Sequence, residues 1–227
     1  MITVRHLSHS FGRQWALKNI TLSLDKGDFL FLTGPSGAGK TTLMRILHGS
    51  LPLQRGKAEI AGFDLGSTPT KRLYLLKRQV AIVFQDFRIL PDRSVWDNVA
   101  LPLVVRGMAK TQIQKRVRAV LRGLSLDTKA RALCREISGG EQQRVAVARA
   151  VVINPKVLLA DEPTGNLDKK LSLQLLEVFR QFHVHGTTIV LATHNEELIR
   201  SQHKAKVLCL RQGCMVDGDQ SLEEGGT

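Results

Sequence analysis

Nowhere in these 227 residues does an apolar run approach the roughly 18 residues that a membrane-spanning helix needs, so no helical span is expected within the chain. The N-terminal Met-Ile-Thr-Val-Arg-His alternates as a strand would, without the basic-then-apolar pattern of a secretion signal. Cysteine is scarce. Cys134, Cys209 and Cys214 are an odd number with no metal-type spacing, which predicts free thiols in a reducing, cytoplasmic setting. Low-complexity linkers and internal repeats are missing too. The length and a hydrophobic content of 43% therefore point to one large soluble α/β core.

Acidic residues are also in short supply, with 20 Asp and Glu against 33 Lys and Arg, for a formal net charge of +13. The bases concentrate in Lys71-Arg72, Lys77-Arg78 and a stretch from Lys110 to Arg135. Aromatics do not interleave with them, which argues against nucleic-acid binding by base stacking. Such a surface suits an anionic membrane surface, or simply keeps the protein soluble.

The richest stretch is Gly34-Pro35-Ser36-Gly37-Ala38-Gly39-Lys40-Thr41-Thr42, a full G-x-x-x-x-G-K-[ST] phosphate-binding loop. It follows an apolar run, Phe29 to Leu32, and precedes a helical pattern, Thr41 to Leu47. Its glycines let successive N–H groups turn inward around an anion, and the following helix adds its positive end. Lys40 would reach the β- and γ-phosphates of a nucleoside triphosphate, Thr41 would offer a hydroxyl to Mg²⁺, and Thr42 could add a phosphate contact.

Two further segments complete a hydrolytic set. Lys156-Val-Leu-Leu-Ala160 reads as a strand buried on both faces and ends in Asp161-Glu162, at the edge where open α/β sheets bind ligands. Asp161 is placed to hold Mg²⁺ through water, and Glu162 to polarise the water attacking the γ-phosphate. Ile137-Ser138-Gly139-Gly140-Glu141-Gln-Gln-Arg144 opens a helix, with Ser138 and Glu141 forming an S-x-x-E capping box and two glycines leaving the backbone approachable.

That segment resembles the signature motif of ATP-binding-cassette (ABC) ATPases, with Ile137 where Leu is usual. Joined to the phosphate loop and the Asp161-Glu162 strand, the resemblance spans essentially the whole chain. It implies an α/β fold: an ABC ATPase (P-loop NTPase) core with an N-terminal antiparallel β subdomain and an α-helical subdomain, approximately 86–154, inserted in a single nucleotide-binding domain over 1–227. It further implies that Gln85 touches Mg²⁺ and the attacking water, that His194 contacts the γ-phosphate, that Asp168 communicates across a dimer, and that Phe11 stacks on adenine where Tyr is frequent. One chain carries one phosphate loop and one signature segment, so the resemblance implies a head-to-tail homodimer in which Ser138 of one copy closes the ATP site of the other.

Phe84-Gln-Asp-Phe-Arg-Ile-Leu-Pro-Asp-Arg-Ser-Val-Trp-Asp-Asn-Val99 is similar to the corresponding stretch of cell-division members of the family. Leu-Leu-Ala-Asp-Glu-Pro-Thr-Gly-Asn-Leu-Asp168 and Leu-Ala-Thr-His194 are shared with lipoprotein-releasing and macrolide-export members as well. This resemblance implies a peripheral subunit on the cytoplasmic face of the bacterial inner membrane, with an integral membrane partner received beside Gln85. DNA-maintenance ATPases share the motifs but separate them by a long coiled coil. Here only about a hundred residues, without sustained heptads, lie between Lys40 and Ser138.

Elsewhere, Ser94 is expected to open a helix at Val95, and Thr111 to open one whose Ile113, Val117, Val120, Leu121 and Leu124 form an apolar stripe. The signature helix is expected to stop at Asn154-Pro155. Strands and helices then alternate through Leu171–Phe182, Thr187–Thr193, Glu196–Arg200 and Ala205–Leu210, with Gly213 in a turn and a frayed polar tail from Ser221 to Thr227.

Overall fold

The computed structural model describes residues 1–165, 167–202 and 205–216. The expected tail from Ser221 to Thr227 lies outside the described residues, as does Asn166. In chain order the elements are β1 (Ile2–Phe11), β2 (Gln14–Leu24), β3 (Phe29–Thr33), α1 (Lys40–Leu47), β4 (Arg55–Ile60), β5 (Phe63–Asp64), α2 (Leu73–Lys77), β6 (Val80–Val83), α3 (Val95–Val105), α4 (Lys110–Gly123), α5 (Gly139–Val151), β7 (Val157–Asp161), α6 (Lys169–Val184), β8 (Thr188–Ala192), α7 (Glu196–Arg200), β9 (Lys206–Arg211) and β10 (Cys214–Val216). They form an antiparallel sheet in the order β2-β1-β4-β5 and a second sheet in the order β10-β9-β3-β8-β7-β6. All neighbours in the second sheet are parallel except β10 on β9.

Side chains that alternate along each parallel strand supply two cores. Phe29 and Phe31 of β3, Ala81 and Val83 of β6, Leu158 and Ala160 of β7, and Ile189 and Leu191 of β8 face one way, into a cluster completed by α3, α4, α5 and α6. Their neighbours Leu30, Leu32, Val80, Val157, Leu159, Val190 and Ala192 face the other way, onto α1 and the apolar side of the antiparallel sheet. The continuous apolar runs of the sequence are thus explained by cover on both faces.

Helix boundaries differ in places from the sequence pattern: α6, expected over Leu171–Phe182, runs over Lys169–Val184, and two others differ more tellingly. α4 begins at Lys110, after an extended Ala109 that offers no side-chain cap, and Thr111 is inside its first turn. Its buried stripe is Ile113, Val117 and Leu121, with Val120 half-buried and Leu124 at the C-cap. α5 ends at Val151, before Asn154 adopts a left-handed φ of 51° ahead of Pro155. Ser138 caps α5 and Ser94 caps α3, each accepting the N–H three residues on.

Candidate nucleotide site

The carboxyl ends of β3, β7 and β8 lie side by side on one edge of the larger sheet. The phosphate loop leaves the first, Asp161-Glu162 the second and Thr193-His194 the third. Between them is a cavity of about 590 Å³, lined by Ala16, Gly34 to Thr42, Gln85, Asp161, Glu162, Gly165 and His194. This is the size class of a small-molecule site.

Close backbone approach builds the loop. Gly34 has φ 130°, and a Cβ there would lie 2.0 Å from the carbonyl oxygen of Leu210 in β9. Gly39 caps α1 at φ 107°, where a Cβ would lie 2.5 Å from the Ala16 carbonyl oxygen of β2. No other residue type fits either position without moving backbone. Across the same seam, Gly213 N–H donates to Ala38 O at 3.1 Å and Lys18 N–H to Gly213 O at 2.7 Å. The loop is therefore clamped by both sheets.

Lys40 is buried. Its ammonium donates to the carbonyl oxygens of Gly34 (2.6 Å) and Pro35 (3.1 Å) and lies 3.7 Å from Glu162 Oε1. The other Glu162 oxygen lies 2.9 Å from His194 Nδ1, on a ring that is 75% exposed. Glu162 has a left-handed φ of 50°, uncommon for a side chain of its kind, and its N–H donates to Ala192 O at 3.1 Å. That strained turn at the end of β7 sends its carboxylate back over Lys40. Gln143, buried on α5, donates through Nε2 to the Glu162 carbonyl at 3.4 Å.

Asp161 is 2% exposed, and its Oδ1 has no hydrogen-bond partner. Burial, first, pushes its carboxyl above the ordinary value and Glu162 adds to this, while a hydrogen bond from Thr41 and the charges of Lys40 and Arg45 pull it down. A buried acid with an orphaned oxygen next to a threonine hydroxyl fits a hard divalent cation.

The structure thus brings Lys40, Thr41, Gln85, Asp161, Glu162 and His194 around the loop. It does not bring Phe11, Ser138 to Glu141, or Asp168 to the cavity wall. Phe11 ends β1, is 53% exposed, and sets its ring 4.9 Å from that of His9. Asp168 caps α6, accepting from Leu171 N–H at 2.8 Å. Ser138 is exposed, and a Cβ on neighbouring Gly139 would meet nothing within 4 Å. Glu141 accepts from Ser138 N–H (2.8 Å) and Ser138 Oγ (3.0 Å). The N–H bond is the main reason its carboxyl lies below the ordinary range, with burial opposing and Lys129 and Arg144 assisting.

After Gln85 the backbone is unusual. Phe87 and Arg88 both have left-handed φ, 54° and 49°. Arg149 of α5 holds the bend by donating to Phe87 O at 2.9 Å, and the Arg88 guanidinium lies 3.8 Å from the Phe84 ring centre. Phe87, Ile89 and Trp96 are partly buried against the helical core, whereas Leu90 is 41% exposed. The sequence pattern gives no role to Ala16, Gln143 or Arg149. Their contributions depend on contacts between distant elements, and no local pattern marks them.

The family model for the ABC transporter matches residues 17–165. The chain belongs to that family and is an ATP-hydrolysing enzyme. Among its relatives is the cell division ATP-binding protein FtsE of Escherichia coli (strain K12), 43% identical over 220 residues that cover 96% of this chain and 98% of that protein. The protein of the same name from Mycobacterium tuberculosis (strain ATCC 25618 / H37Rv) is 40% identical over 97% of this chain and 96% of its own length. Among solved structures, the dimeric ATP-binding cassette MJ0796 aligns with a TM-score of 0.88 at 30% identity, over 95% of this chain and 96% of that one. A post-hydrolysis dimer of MJ0796 bound to ADP and Pi aligns equally well, at 29% identity.

Proposed function

We propose that this chain is the ATPase subunit of a cell-division complex at the cytoplasmic face of the bacterial inner membrane. It works there as a head-to-tail homodimer on an FtsX-like integral membrane protein, and dimer closure is transmitted across the membrane to regulate cell-wall hydrolysis. The observation that carries the catalytic part is the placement of Glu162 between Lys40 and His194, with the orphaned Asp161 oxygen beside them. The cell-division part is supported by relatives of that name, similar over nearly the full length.

In this reading the loop N–H groups of Gly34 to Thr42 cradle the phosphates and Lys40 exchanges its loop carbonyls for phosphate oxygens. Thr41, Asp161 and Gln85 would hold Mg²⁺, which would supply charge neutralisation when bound. Glu162 orients and polarises the attacking water, His194 aligns it, and Phe11 offers an exposed ring to adenine. Ser138 to Glu141 and Asp168, outside the cavity wall of their own chain, serve the site of the second copy. The α5 N-terminus then faces the γ-phosphate with the free N–H groups of Gly139 and Gly140.

Co-purification of the chain from native membranes tests this function. Recovery of a protein with few spans and a large external segment supports it, and recovery of a many-span permease overturns it.

A further inference from the structure

We propose that the cavity between α3 and α4 is a headgroup site for an anionic phospholipid. It measures about 610 Å³ and is walled by Arg118, Arg122 and Arg131, over a floor of Trp96, Leu121 and Ala130. Ser94, Gln114 and one carboxylate, Asp127, complete the lining. The proposal rests on the membrane-bound reading above and adds to it a place where the chain touches lipid directly.

Three observations lead to it. The charge is concentrated and only partly compensated. Between Lys110 and Arg135 the chain has eight bases, Lys110, Lys115, Arg116, Arg118, Arg122, Lys129, Arg131 and Arg135, against the single acid Asp127, more than half of the net +13. Lys129 and Arg135 on the flanks pair with Glu141 and Asp92, at 4.0 and 2.7 Å. Among the described residues, Arg118, Arg122 and Arg131 have no such pair.

The arrangement also works against the helix that bears it. α4 has five bases and no acid. Arg118 and Arg122 are four apart on one face, where like charges repel, and Lys110 stands at the positive end of the helix dipole. An anion between the arginines relieves a repulsion that, among the described residues, no salt bridge to Arg118 or Arg122 relieves.

The third observation is the floor. Leu121 is buried and Trp96 and Ala130 are half-buried, so the guanidinium groups ring an apolar base. Arginine stems and an indole suit a ligand whose phosphate is joined to a less polar body, as in a glycerophospholipid at the interface. A free phosphate would leave that floor unused.

The test is co-sedimentation of the full-length protein with vesicles of phosphatidylcholine alone, or of phosphatidylcholine with phosphatidylglycerol, ATPase activity being measured on the same samples. The parent is expected to bind only the anionic vesicles. At roughly a factor of five per cation, Arg118→Gln/Arg122→Gln should weaken partitioning about thirtyfold, and Arg131→Gln alone about fivefold, with ATPase activity retained. Lys71→Gln/Arg72→Gln removes equal charge elsewhere and should weaken it less than about fivefold.

Equal losses in the two double variants would show diffuse charge rather than a site and overturn the proposal. So would a parent that ignores anionic vesicles, or one stripped from them by inorganic phosphate or by poly-glutamate at matched ionic strength. If the double variant loses ATPase activity through misfolding, Arg131→Gln decides by the same comparison. The vesicles contain no protein, so failure here leaves the membrane-partner reading standing on its own co-purification test.

Discussion

His194 Nδ1 lies 2.9 Å from Glu162 Oε2, while the Lys40 ammonium lies 3.7 Å from the other oxygen of the same carboxylate. Glu162 is thus held from two directions at the end of β7, with a backbone conformation that few glutamates adopt. Glu162→Gln keeps the shape and removes the charge. Hydrolysis should fall by at least about a hundredfold while ATP affinity stays near the parent's, since the phosphate cradle is untouched. Steady-state phosphate release and nucleotide titration check this, and a near-parental rate would rule out the assignment.

Gly34 and Gly37 should respond differently to alanine. Both have positive φ, but a Cβ at Gly34 meets the Leu210 carbonyl at 2.0 Å, whereas one at Gly37 meets nothing within 4 Å. Gly37→Ala should cost about 1–2 kcal/mol of backbone strain and keep the fold. Gly34→Ala must push apart β3 and β9, losing more stability and most ATP affinity. Melting curves and ATP titrations of the two variants, side by side, test the difference.

Ser138→Arg should leave nucleotide binding by the monomer unchanged and abolish ATP-driven dimerisation, because Ser138 is exposed and away from its own chain's cavity. The measurement is light scattering with ATP in the Glu162→Gln background. A dimer of normal affinity would remove the signature segment from the interface.

The His48 ring stands edge-on to Phe84, 6.0 Å between centres, and burial first, then Lys77 and Arg88, pushes its pKa down to about 4. An imidazole with a folded pKa below its unfolded value of about 6.5 takes up its proton more readily in the unfolded chain. The stability this contributes is fully present above about pH 6.5 and is lost as pH falls toward 4. Replacing His48 with Leu should therefore flatten the acid limb by up to one proton between those pH values. Urea midpoints at several pH values would show an unchanged slope if the idea is wrong.

Arg88→Glu breaks the ion pair with Asp86 and the stack on Phe84, both at the surface. It should weaken capture of the membrane partner and keep basal ATPase activity. Loss of both would indicate misfolding, and retention of both would put the partner contact elsewhere.

The features legible in the sequence are those whose chemistry is local. The phosphate loop, the Ser138–Glu141 box and the doubly covered strands are each set by residues a few positions apart. The antiparallel sheet came only through family resemblance, since the pairing of β1 with β4 joins Ile2 to Ile60 and no short window contains both. The start of α4 was misplaced because Ala109 leaves no capping mark and Thr111 imitates one. At the site, the acids and the lysine were visible, but the carbonyls of Ala16 and Leu210 that shape the loop are not. They arrive through the register of distant strands, and a backbone oxygen has no letter of its own.

The clamp around the phosphate loop sets an order in time during synthesis. The loop leaves the ribosome among the first fifty residues, yet its backing comes from Leu210 and Gly213, and β3 gains its two neighbours only with β8 and β9. A nascent chain therefore has the full phosphate-binding motif through most of translation without a formed cradle. ATP binding therefore waits on β8 and β9, and a product terminated before Leu210 lacks the strand and the carbonyl that back the loop.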